Sequence, residues 1–324
     1  MEQQSTPLAE VTAFAEKIEQ LRQQIAAVIV GQHDTVDLVL TSILAGGHIL
    51  IEGVPGVAKT LLARLTARLI GADFSRVQFT PDLMPSDVLG TNVFNMQSGT
   101  FSFHPGPVFA DIVLVDEINR APAKTQAALF EVMEERQATI DGTSHVMSPL
   151  YTIIATQNPV EQEGTYKLPE AQLDRFLMKI TMGYPTAEEE VAILERHQQD
   201  AHLVQLRDVT PVVGKEELLQ MRDMLSQVFV EPSLLRYITD IVQQTRQSRA
   251  VFLGASPRAS VAMLNASKAY ALLQGRQFVT PDDIKTVTPS ILHHRIILTA
   301  EAEMEGHTPM KVTQRLIDKV EVPK

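Results

Sequence analysis

The stretch of sequence that decides the fold reads Ile49-Leu50-Ile51-Glu52-Gly53-Val54-Pro55-Gly56-Val57-Ala58-Lys59-Thr60. A short apolar run enters a loop with two glycines and a proline, and a segment with helical spacing begins after the Lys-Thr pair. Strand, loop and helix in this order suit phosphate binding, because glycines let backbone N–H groups surround an anion and the helix N-terminus adds partial positive charge. We expect Lys59 to contact the β- and γ-phosphates of a nucleotide and the Thr60 hydroxyl to bind Mg²⁺.

The loop departs from the general phosphate-loop pattern G-x-x-x-x-G-K-[ST] at one position. Ala58 stands where that pattern has its second glycine. Taken alone, the loop is therefore also compatible with an ordinary glycine-containing turn before a helix that carries a lysine. The residues that we predict to bind nucleotide here are Gly53, Val54, Pro55, Gly56, Val57, Ala58, Lys59, Thr60 and Leu61.

The composition of the 324-residue chain is that of an ordinary globular protein, with 44% hydrophobic and 21% charged residues. Its formal net charge of −11 disfavours non-specific binding to nucleic acid or to acidic membranes. The absence of cysteine excludes disulfides, thiolate zinc sites and cysteine nucleophiles. The first residues are polar, and charged residues and glycines interrupt the most apolar long window, so we expect a cytoplasmic protein without direct membrane insertion.

The order of the apolar patterns predicts an α/β fold, a P-loop αβα sandwich with a parallel sheet, followed by a smaller all-α lid domain. We place the first domain at 1–207 and the lid at 208–324, since beyond about residue 186 the patterns are helical and no further strand is credible. The predicted strands cover about 49–52, 77–79, 112–115, 151–156 and 178–180, with β-hairpins at 93–103 and 137–146. The predicted helices cover about 10–28, 34–45, 119–136, 170–176, 188–197, 215–227, 233–246, 257–274 and 281–291.

An apolar segment that ends in glycine, with Val30, Gly31 and Gln32, separates the first two predicted helices. Because it lies shortly before the phosphate loop, it could form an apolar pocket for a nucleotide base. It could equally be only a turn between two helices.

Polar side chains follow two of the buried strands. Asp116 and Glu117 end the apolar run Ile112-Val113-Leu114-Val115, and open α/β sheets bind ligands at the carboxyl ends of their strands. Asp116 would hold the Mg²⁺ shell and Glu117 would polarise an attacking water. Asn158, at the tip of the next strand, could orient that water. Taken singly, the acids could instead be solvated strand ends and Asn158 part of an Asn-Pro turn.

Two arginines occupy unusual positions relative to the predicted helices. Ser256 and Pro257 are a typical helix start, which puts Arg258 in the first helical turn, where the helix dipole disfavours a cation. A bound triphosphate would explain that position, and a solvated arginine is the alternative. Arg175 follows a short helix and would project from the sheet edge, unless it forms a local salt bridge with Asp174 or Glu170.

Together these segments resemble the MoxR family of AAA+ ATPases, within the helix-2-insert branch that also holds magnesium chelatase ATPase subunits and MCM helicases. The resemblance spans roughly residues 10–300. It rests on the phosphate loop 53–60 and on Val115-Asp116-Glu117-Ile118-Asn119-Arg120-Ala121-Pro122, Thr156-Gln157-Asn158-Pro159 and Leu168-Pro169-Glu170-Ala171-Gln172-Leu173-Asp174-Arg175-Phe176. In this family, the residue before the lysine of the phosphate loop is alanine.

The resemblance implies a ring, expected to be a hexamer, that binds ATP or ADP with Mg²⁺ at its subunit interfaces. It makes Arg175 an arginine finger entering the neighbouring subunit's site, Asn158 the first sensor and Arg258 the second. It assigns 93–103 to the helix-2 insert and 137–150 to the pre-sensor hairpin. Members of the family are regarded as chaperone-like remodellers of protein clients, often partners of proteins with a von Willebrand A domain.

Three functions therefore compete: an Mg-ATP-driven protein remodeller, a nucleic-acid motor and a slow nucleotide-dependent assembly switch. A motor that grips phosphates needs Lys or Arg on its pore loops, and 93–107 and 137–150 contain neither. We therefore expect no nucleic-acid partner. The first hairpin instead carries Phe94, Met96, Phe101 and Phe103, which must either pack on the subunit's own surface or meet a partner.

The adjacent pair His293-His294 is the remaining feature that could suggest chemistry. It lacks nearby acids or thiols at metal-ligand spacing, and we expect these histidines to lie at a helix end or in the core.

Overall fold

The fold is taken from a computed structural model that describes residues 7–159, 166, 168–199 and 209–323. The strands are β1 (His48–Gly53), β2 (Phe74–Gln78), β3 (Gly90–Asn95), β4 (Thr100–Pro105), β5 (Ile112–Asp116), β6 (Gln137–Ile140), β7 (Thr143–Val146), β8 (Thr152–Gln157), β9 (Phe176–Met182), β10 (Val251–Leu253) and β11 (Ile297–Leu298). The α-helices are α1 (Pro7–Val28), α2 (His33–Leu44), α3 (Lys59–Leu69), α4 (Pro85–Leu89), α5 (Ala123–Glu135), α6 (Glu170–Leu173), α7 (Ala187–Gln199), α8 (Lys215–Met224), α9 (Pro232–Gln247), α10 (Pro257–Leu273), α11 (Pro281–Leu292), α12 (Ala300–Met304) and α13 (Pro309–Lys319).

The centre of the first domain is a five-stranded sheet in the order β2-β5-β8-β1-β9, and each neighbouring pair is parallel. Alternate residues of its strands enter two separate apolar clusters, one on each face. Ile112 and Leu114 belong to one cluster, and Val113 and Val115 to the other. Burial on both faces explains why these strands read as continuous apolar runs in the sequence. The predicted αβα sandwich is confirmed.

Three predicted details of the elements are wrong, and two helices were not predicted. The helix expected at 119–136 begins as a 3₁₀ turn, Ile118–Arg120, and α5 starts only at Ala123, after Pro122. The helix expected at 170–176 ends at Leu173, because β9 already starts at Phe176. Beyond residue 186, β10 and β11 form a short antiparallel pair where no strand was expected. Two helices near the C-terminus, α12 and α13, were also not predicted.

The remaining predicted helices, strands and both hairpins lie at the expected places, except that β2 spans Phe74–Gln78 where 77–79 was predicted. The helices α8 to α13 form the lid, and β10 and β11 are a two-stranded ribbon on it. The boundary that we predict between residues 207 and 208 lies outside the described residues and stays a prediction. Among the described residues, no helix is both long and apolar enough to cross a membrane.

Arg295 fastens the lid to the sheet. Its side chain is only 4% exposed, and its Nε donates to Asp174 Oδ1 at 2.7 Å. Its Nη2 donates to the backbone oxygen of Phe176 at 2.6 Å, and its Nη1 donates to that of Leu177 at 3.1 Å. A buried guanidinium is tolerated because the carboxylate of Asp174 and several carbonyls satisfy it. The start of β9 is thereby fixed against the lid.

Three histidines lie in the core of the described protein. Burial lowers the pKa of His48 and of His293 to about 4, and it lowers the pKa of His294 well below the ordinary value. His48 accepts a hydrogen bond at Nδ1 from the Ile153 N–H at 2.9 Å, and its Nε2 lies 3.1 Å from the carbonyl oxygen of Met133. The interpretation of His293 and His294 as core residues is confirmed, and the described chain contains no group of three potential His, Asp or Glu metal ligands.

We expect the protein to lose stability as the pH falls from 7 to 5. Each buried histidine must stay neutral in the folded state, whereas the unfolded state takes up a proton near pH 6.5. Stability is therefore present above that pH and falls on the way to pH 4, by about 2 kcal/mol between pH 7 and 5 for each of His48 and His293. Urea unfolding at several pH values measures this loss. NMR titration of the imidazoles of His48, His293 and His294 is the control, and titration of all three near pH 6.5 would contradict the interpretation.

Candidate functional site

A cleft of about 380 Å³ opens at the carboxyl ends of β1, β5 and β8. These three strands are neighbours in the parallel sheet, so the loops that follow them meet at one edge. The cleft is lined by Pro55, Gly56, Ala58, Lys59, Thr60, Leu61, Arg76, Gln78, Asp116, Glu117, Thr156 and Asn158. The structure thus brings together most of the residues that the sequence predicts to bind nucleotide, metal and water.

The phosphate loop contains an alanine in a backbone conformation that favours glycine. Ala58 has φ 61° and ψ 22°, in the left-handed region, immediately before the first residue of α3. This conformation explains why the general motif has glycine there, since a side chain in it costs roughly 1–2 kcal/mol. Lys59 bends back over the loop, and its Nζ donates to the carbonyl oxygen of Gly53.

Three predicted members of the loop shape the cleft without lining it. Val57 is buried in the apolar cluster, and Val54 packs against the same cluster. Gly53 has no room for a side chain, because a Cβ there would lie 2.7 Å from the carbonyl oxygen of Met182. These residues hold the loop down on the sheet.

Asp116 is the polar centre of the cleft and is almost fully buried. Its Oδ1 accepts from the Thr156 hydroxyl at 3.0 Å, and its Oδ2 accepts from Arg76 Nε at 2.7 Å. Thr60 Oγ1 lies 3.5 Å from the same Oδ2. Arg76 therefore supplies the positive charge that balances this buried carboxylate.

The oxygens of Thr60 and Asp116 fit a magnesium ion. Mg²⁺ binds oxygen ligands octahedrally at about 2.1 Å, so two adjacent ligands on one ion lie about 3 Å apart. The observed separation of 3.5 Å is close to that value and also permits one ligand to bind through water. A hydroxyl and a carboxylate are hard oxygen donors of the kind that Mg²⁺ prefers.

Glu117 is held in a specific orientation at the rim of the cleft. Its backbone is left-handed, with φ 56° and ψ 51°, and its N–H donates to Thr156 Oγ1 at 3.0 Å. Its carboxylate accepts from Gln78 Nε2 at 2.8 Å and pairs with Arg120 Nη1 at 3.1 Å. A non-glycine residue in this region is strained, and such strain is typical of functional positions.

Arg76 and Gln78 are members of the cleft that the sequence analysis missed. Both lie on β2, two residues apart and therefore on one face, and Gln78 is in register with Asp116 of β5. The sequence shows these two polar residues on one side of a short strand. They can be assigned to the cleft only once the strand order is known, because that order places β2 next to β5, which ends in Asp116. Asn158, which was predicted, is buried at the end of β8 and lines the same cleft.

The predicted base-binding segment lies apart from the lining of the cleft. Val30, Gly31 and Gln32 form the turn between α1 and α2, and Gly31 borders a separate pocket of about 80 Å³. Gly31 has φ 69°, and a Cβ on it would lie 2.2 Å from a carboxylate oxygen of Glu189. The turn is therefore closely packed against α7, and base binding by this segment stays a prediction.

Arg175 and Arg258 both bind the carboxylate of Glu134. Arg175 Nε donates to Glu134 Oε2 at 2.7 Å, with its Nη2 at 2.5 Å from the same oxygen, and Arg258 Nη2 lies 3.3 Å from Glu134 Oε1. The alternative of a salt bridge between Arg175 and Asp174 is wrong, because Asp174 pairs with Arg295. Glu134 could not be identified as the partner of Arg175 and Arg258 from the sequence alone.

The arginine pair lies at the opposite end of the sheet from the cleft. Arg175 immediately precedes β9, and Phe176 is in register with His48, the first residue of β1, whereas the phosphate loop follows the last. At about 3.3 Å per residue, β1 separates the two sites by roughly 15–20 Å. Arg175 therefore cannot reach the cleft of its own subunit.

Fold and cleft together define the class. The fold is a parallel αβα sandwich with a phosphate loop after β1, acids at the end of β5 and a helical lid. This is the arrangement of an AAA+ protein. The similarity of the chain to known protein families supports this class. Residues 48–178 match the AAA_3 family, described as an ATPase family associated with various cellular activities, and residues 243–316 match an AAA lid domain.

Relatives that match over most of their length identify the family within this class. The chain is 42% identical over 314 residues to Chaperone MoxR1 of Mycobacterium tuberculosis, covering 93% of this chain and 81% of that protein. It is 31% identical to Protein MoxR of Paracoccus denitrificans, with 85% and 87% covered. The crystal structure of a "putative ATPase" from Cytophaga hutchinsonii matches with a TM-score of 0.89 and 40% identity over 97% of both chains. The chain belongs to the MoxR family of AAA+ ATPases.

We expect the left-handed backbone at residue 58 to decide which side chains the phosphate loop accepts. Ala58→Gly relieves the strain and should keep ATP affinity within about twofold, whereas Ala58→Val places a β-branched side chain at positive φ and should weaken it by at least tenfold. Titration with a fluorescent ATP analogue measures both, with the melting temperature as the control for folding. Equal affinity of the valine and glycine variants would contradict this account.

Proposed function

We propose that the protein is a cytoplasmic ATPase that hydrolyses Mg-ATP at sites shared between neighbouring copies in a ring, and that it uses the cycle to remodel or mature protein partners. The observation that carries the proposal is the separation of the cleft from the arginine pair, at opposite ends of one sheet. Such a subunit has a nucleotide site that its own Arg175 and Arg258 do not reach, and an arginine pair that lies far from that site. Copies arranged head to tail would complete both, and a closed ring, expected to be a hexamer, leaves no end unused.

The cleft would bind the nucleotide through its phosphates. The loop N–H groups and the N-terminus of α3 face the anion, and Lys59 exchanges the Gly53 carbonyl for the β- and γ-phosphates. Thr60 and Asp116 would hold Mg²⁺, whose chemistry is to neutralise charge on the phosphate oxygens. A cation held there would also replace Arg76 as the charge partner of Asp116.

Hydrolysis would depend on Glu117 and Asn158. Glu117 orients and polarises the attacking water, and the Asn158 amide, buried at the end of the next strand, helps to place that water. In the structure, Gln78 and Arg120 both contact Oε2 of the Glu117 carboxylate, which orients the group and leaves Oε1 to accept from the water.

The neighbouring subunit would supply Arg175 and Arg258. A guanidinium is permanently charged and can bind two phosphate oxygens at once, so it stabilises the charge that develops on the transferred phosphoryl group. We assign the arginine finger to Arg175 and the second sensor to Arg258. Because both reach Glu134 from one subunit, we propose that they enter the same neighbouring site together.

Protein partners are favoured by the surface of the first hairpin. Met96 is 90% exposed and Phe101 is 70% exposed, and the ring of Phe101 lies 5.1 Å from that of Phe94. Phe103 packs instead on the subunit's own surface, stacked on His145 at 3.9 Å. Exposed apolar side chains without Lys or Arg suit a protein better than a nucleic acid. We propose a protein client, such as a protein with a von Willebrand A domain.

A nucleotide-dependent assembly switch remains the second candidate. Gln78 and Arg120 occupy one oxygen of the Glu117 carboxylate, which would restrict its contact with a water and favour slow turnover. Measurement of turnover with and without a partner separates the two functions, since a remodeller hydrolyses ATP repeatedly for each partner processed.

We expect mixed rings to recover activity that neither variant has alone. Lys59→Ala removes the phosphate contact, and Arg175→Ala removes a trans-acting arginine that typically contributes on the order of 10³–10⁵ in rate. Each variant alone should be nearly inactive. In mixed rings some interfaces join an intact phosphate loop to an intact Arg175, so steady-state ATPase activity should partly return. No recovery in rings shown to be mixed by native mass spectrometry would contradict the shared site, and so would normal turnover by Arg175→Ala alone.

We expect the exposed hairpin side chains to serve partners and not folding. Phe101→Ser should leave the melting temperature and basal ATPase activity unchanged, because 70% of this side chain is already in water. In the Glu117→Gln background, which should trap ATP-bound rings, it should abolish co-purification of a partner protein. Phe103→Ser is the matched control, since it removes the packing on His145 and should lower the melting temperature. If Phe101→Ser unfolds the protein, the hairpin serves the subunit's own packing.

A further inference from the structure

Glu134 is the one side chain in the described chain that binds both predicted trans-acting arginines. It lies in the last turn of α5 and is 36% exposed, and each of its carboxylate oxygens is paired with a different arginine. Arg175 comes from the segment between α6 and β9, whereas Arg258 comes from the first turn of the lid helix α10. The carboxylate therefore joins three elements that are distant in the sequence.

The position of Glu134 is unfavourable unless the arginines are present. A carboxylate near the C-terminus of a helix is repelled by the partial negative charge of the last carbonyls. Here the attraction of the two guanidiniums outweighs that repulsion. Arg175 in particular holds the pKa of Glu134 below its ordinary value. Arg175 is further confined by the ring of Phe130, with its Cζ 6.0 Å from the ring centroid. Helix α5 thus contributes both groups that fix Arg175.

The contacts with Glu134 leave the arginines able to bind another anion. Arg175 uses Nε and Nη2, which form one edge of the guanidinium, and Arg258 uses Nη2 alone. A guanidinium has five N–H groups in a planar fork, so the opposite edge of each can still donate to a phosphate. Two guanidiniums held near one point would otherwise repel each other, and the carboxylate between them removes that cost.

We propose that Glu134 is a positioning residue for ATP hydrolysis: it holds Arg175 and Arg258 together as one unit that binds the triphosphate of the neighbouring subunit. This inference rests on the proposed function, because it needs a site shared between subunits. Glu134 does not touch the nucleotide itself. Its contribution is preorganisation, since arginines already in place lose less entropy on binding the developing charge.

The proposal predicts a selective effect on catalysis. Glu134→Gln keeps the size of the side chain but replaces one acceptor oxygen by an amide, which cannot bridge two guanidiniums. We expect kcat for ATP to fall about tenfold and KM to change less than twofold, because the arginines act on charge that develops after binding. Glu135→Gln is the matched control: it removes the same charge from the adjacent residue of α5, and it should retain wild-type kcat.

Mixed rings locate the defect on one side of the interface. Glu134→Gln subunits have an intact phosphate loop and a defective arginine pair, so mixing them with Lys59→Ala subunits should restore activity at some interfaces. Mixing them with Arg175→Ala subunits should restore none, because both defects lie on the side that donates arginines. Only rings shown by native mass spectrometry to contain both subunit types are counted, so a loss of stability cannot imitate this pattern.

The possible outcomes separate this inference from the proposed function. If rings of Lys59→Ala and Arg175→Ala subunits recover no activity, the shared site itself is wrong. If those rings recover but Glu134→Gln has wild-type kcat, only the role of Glu134 is overturned. A rise in kcat overturns it as well, because Glu134 would then compete with the phosphate for the arginines. Recovery in mixtures of Glu134→Gln with Arg175→Ala would likewise exclude a role on the donor side.

Discussion

The rest of the structure depends on the parallel direction of the five central strands. Because all of them run the same way, every loop that follows a strand lies at one edge of the sheet and every segment that precedes one lies at the other. The phosphate loop, Asp116 and Asn158 follow strands and meet in the cleft. Arg175 precedes a strand and lies at the far edge. A single subunit therefore separates the two charged groups that the proposed reaction would bring together.

The packing of the lid on the first domain places Arg258 close to Arg175. One continuous apolar cluster joins residues of the sheet, such as Ile49, to residues of α10, such as Met263, so the lid packs on the first domain through a shared core. Arg295 adds a buried polar attachment to the start of β9. The first turn of α10 is thereby placed beside the end of α5, and Arg258 reaches Glu134 and not the cleft of its own subunit. In the proposed ring, the lid would therefore act at the neighbour's site.

Features that are local in sequence could be predicted, and those that require tertiary register could not. Four consecutive apolar residues before Asp116 are enough to indicate a buried strand, and Ser256-Pro257 is enough to indicate the start of α10. Gln78 becomes a partner of Glu117 only through the register of β2 with β5. Glu134 binds two arginines only because the lid docks where it does. The ribbon of β10 and β11 was missed because strands of three and two residues carry no periodicity.

Thr156 shows how the core imposes geometry on the cleft. Its hydroxyl, on β8, donates to the Asp116 carboxylate and accepts from the backbone N–H of Glu117, so one group fixes both acids. It can do so only while β5 and β8 keep their register, which side chains buried on both faces enforce. The left-handed backbone of Glu117 costs free energy, and the hydrogen bond to Thr156 offsets part of that cost. The strain at the site is therefore maintained by the packing of the sheet beneath it.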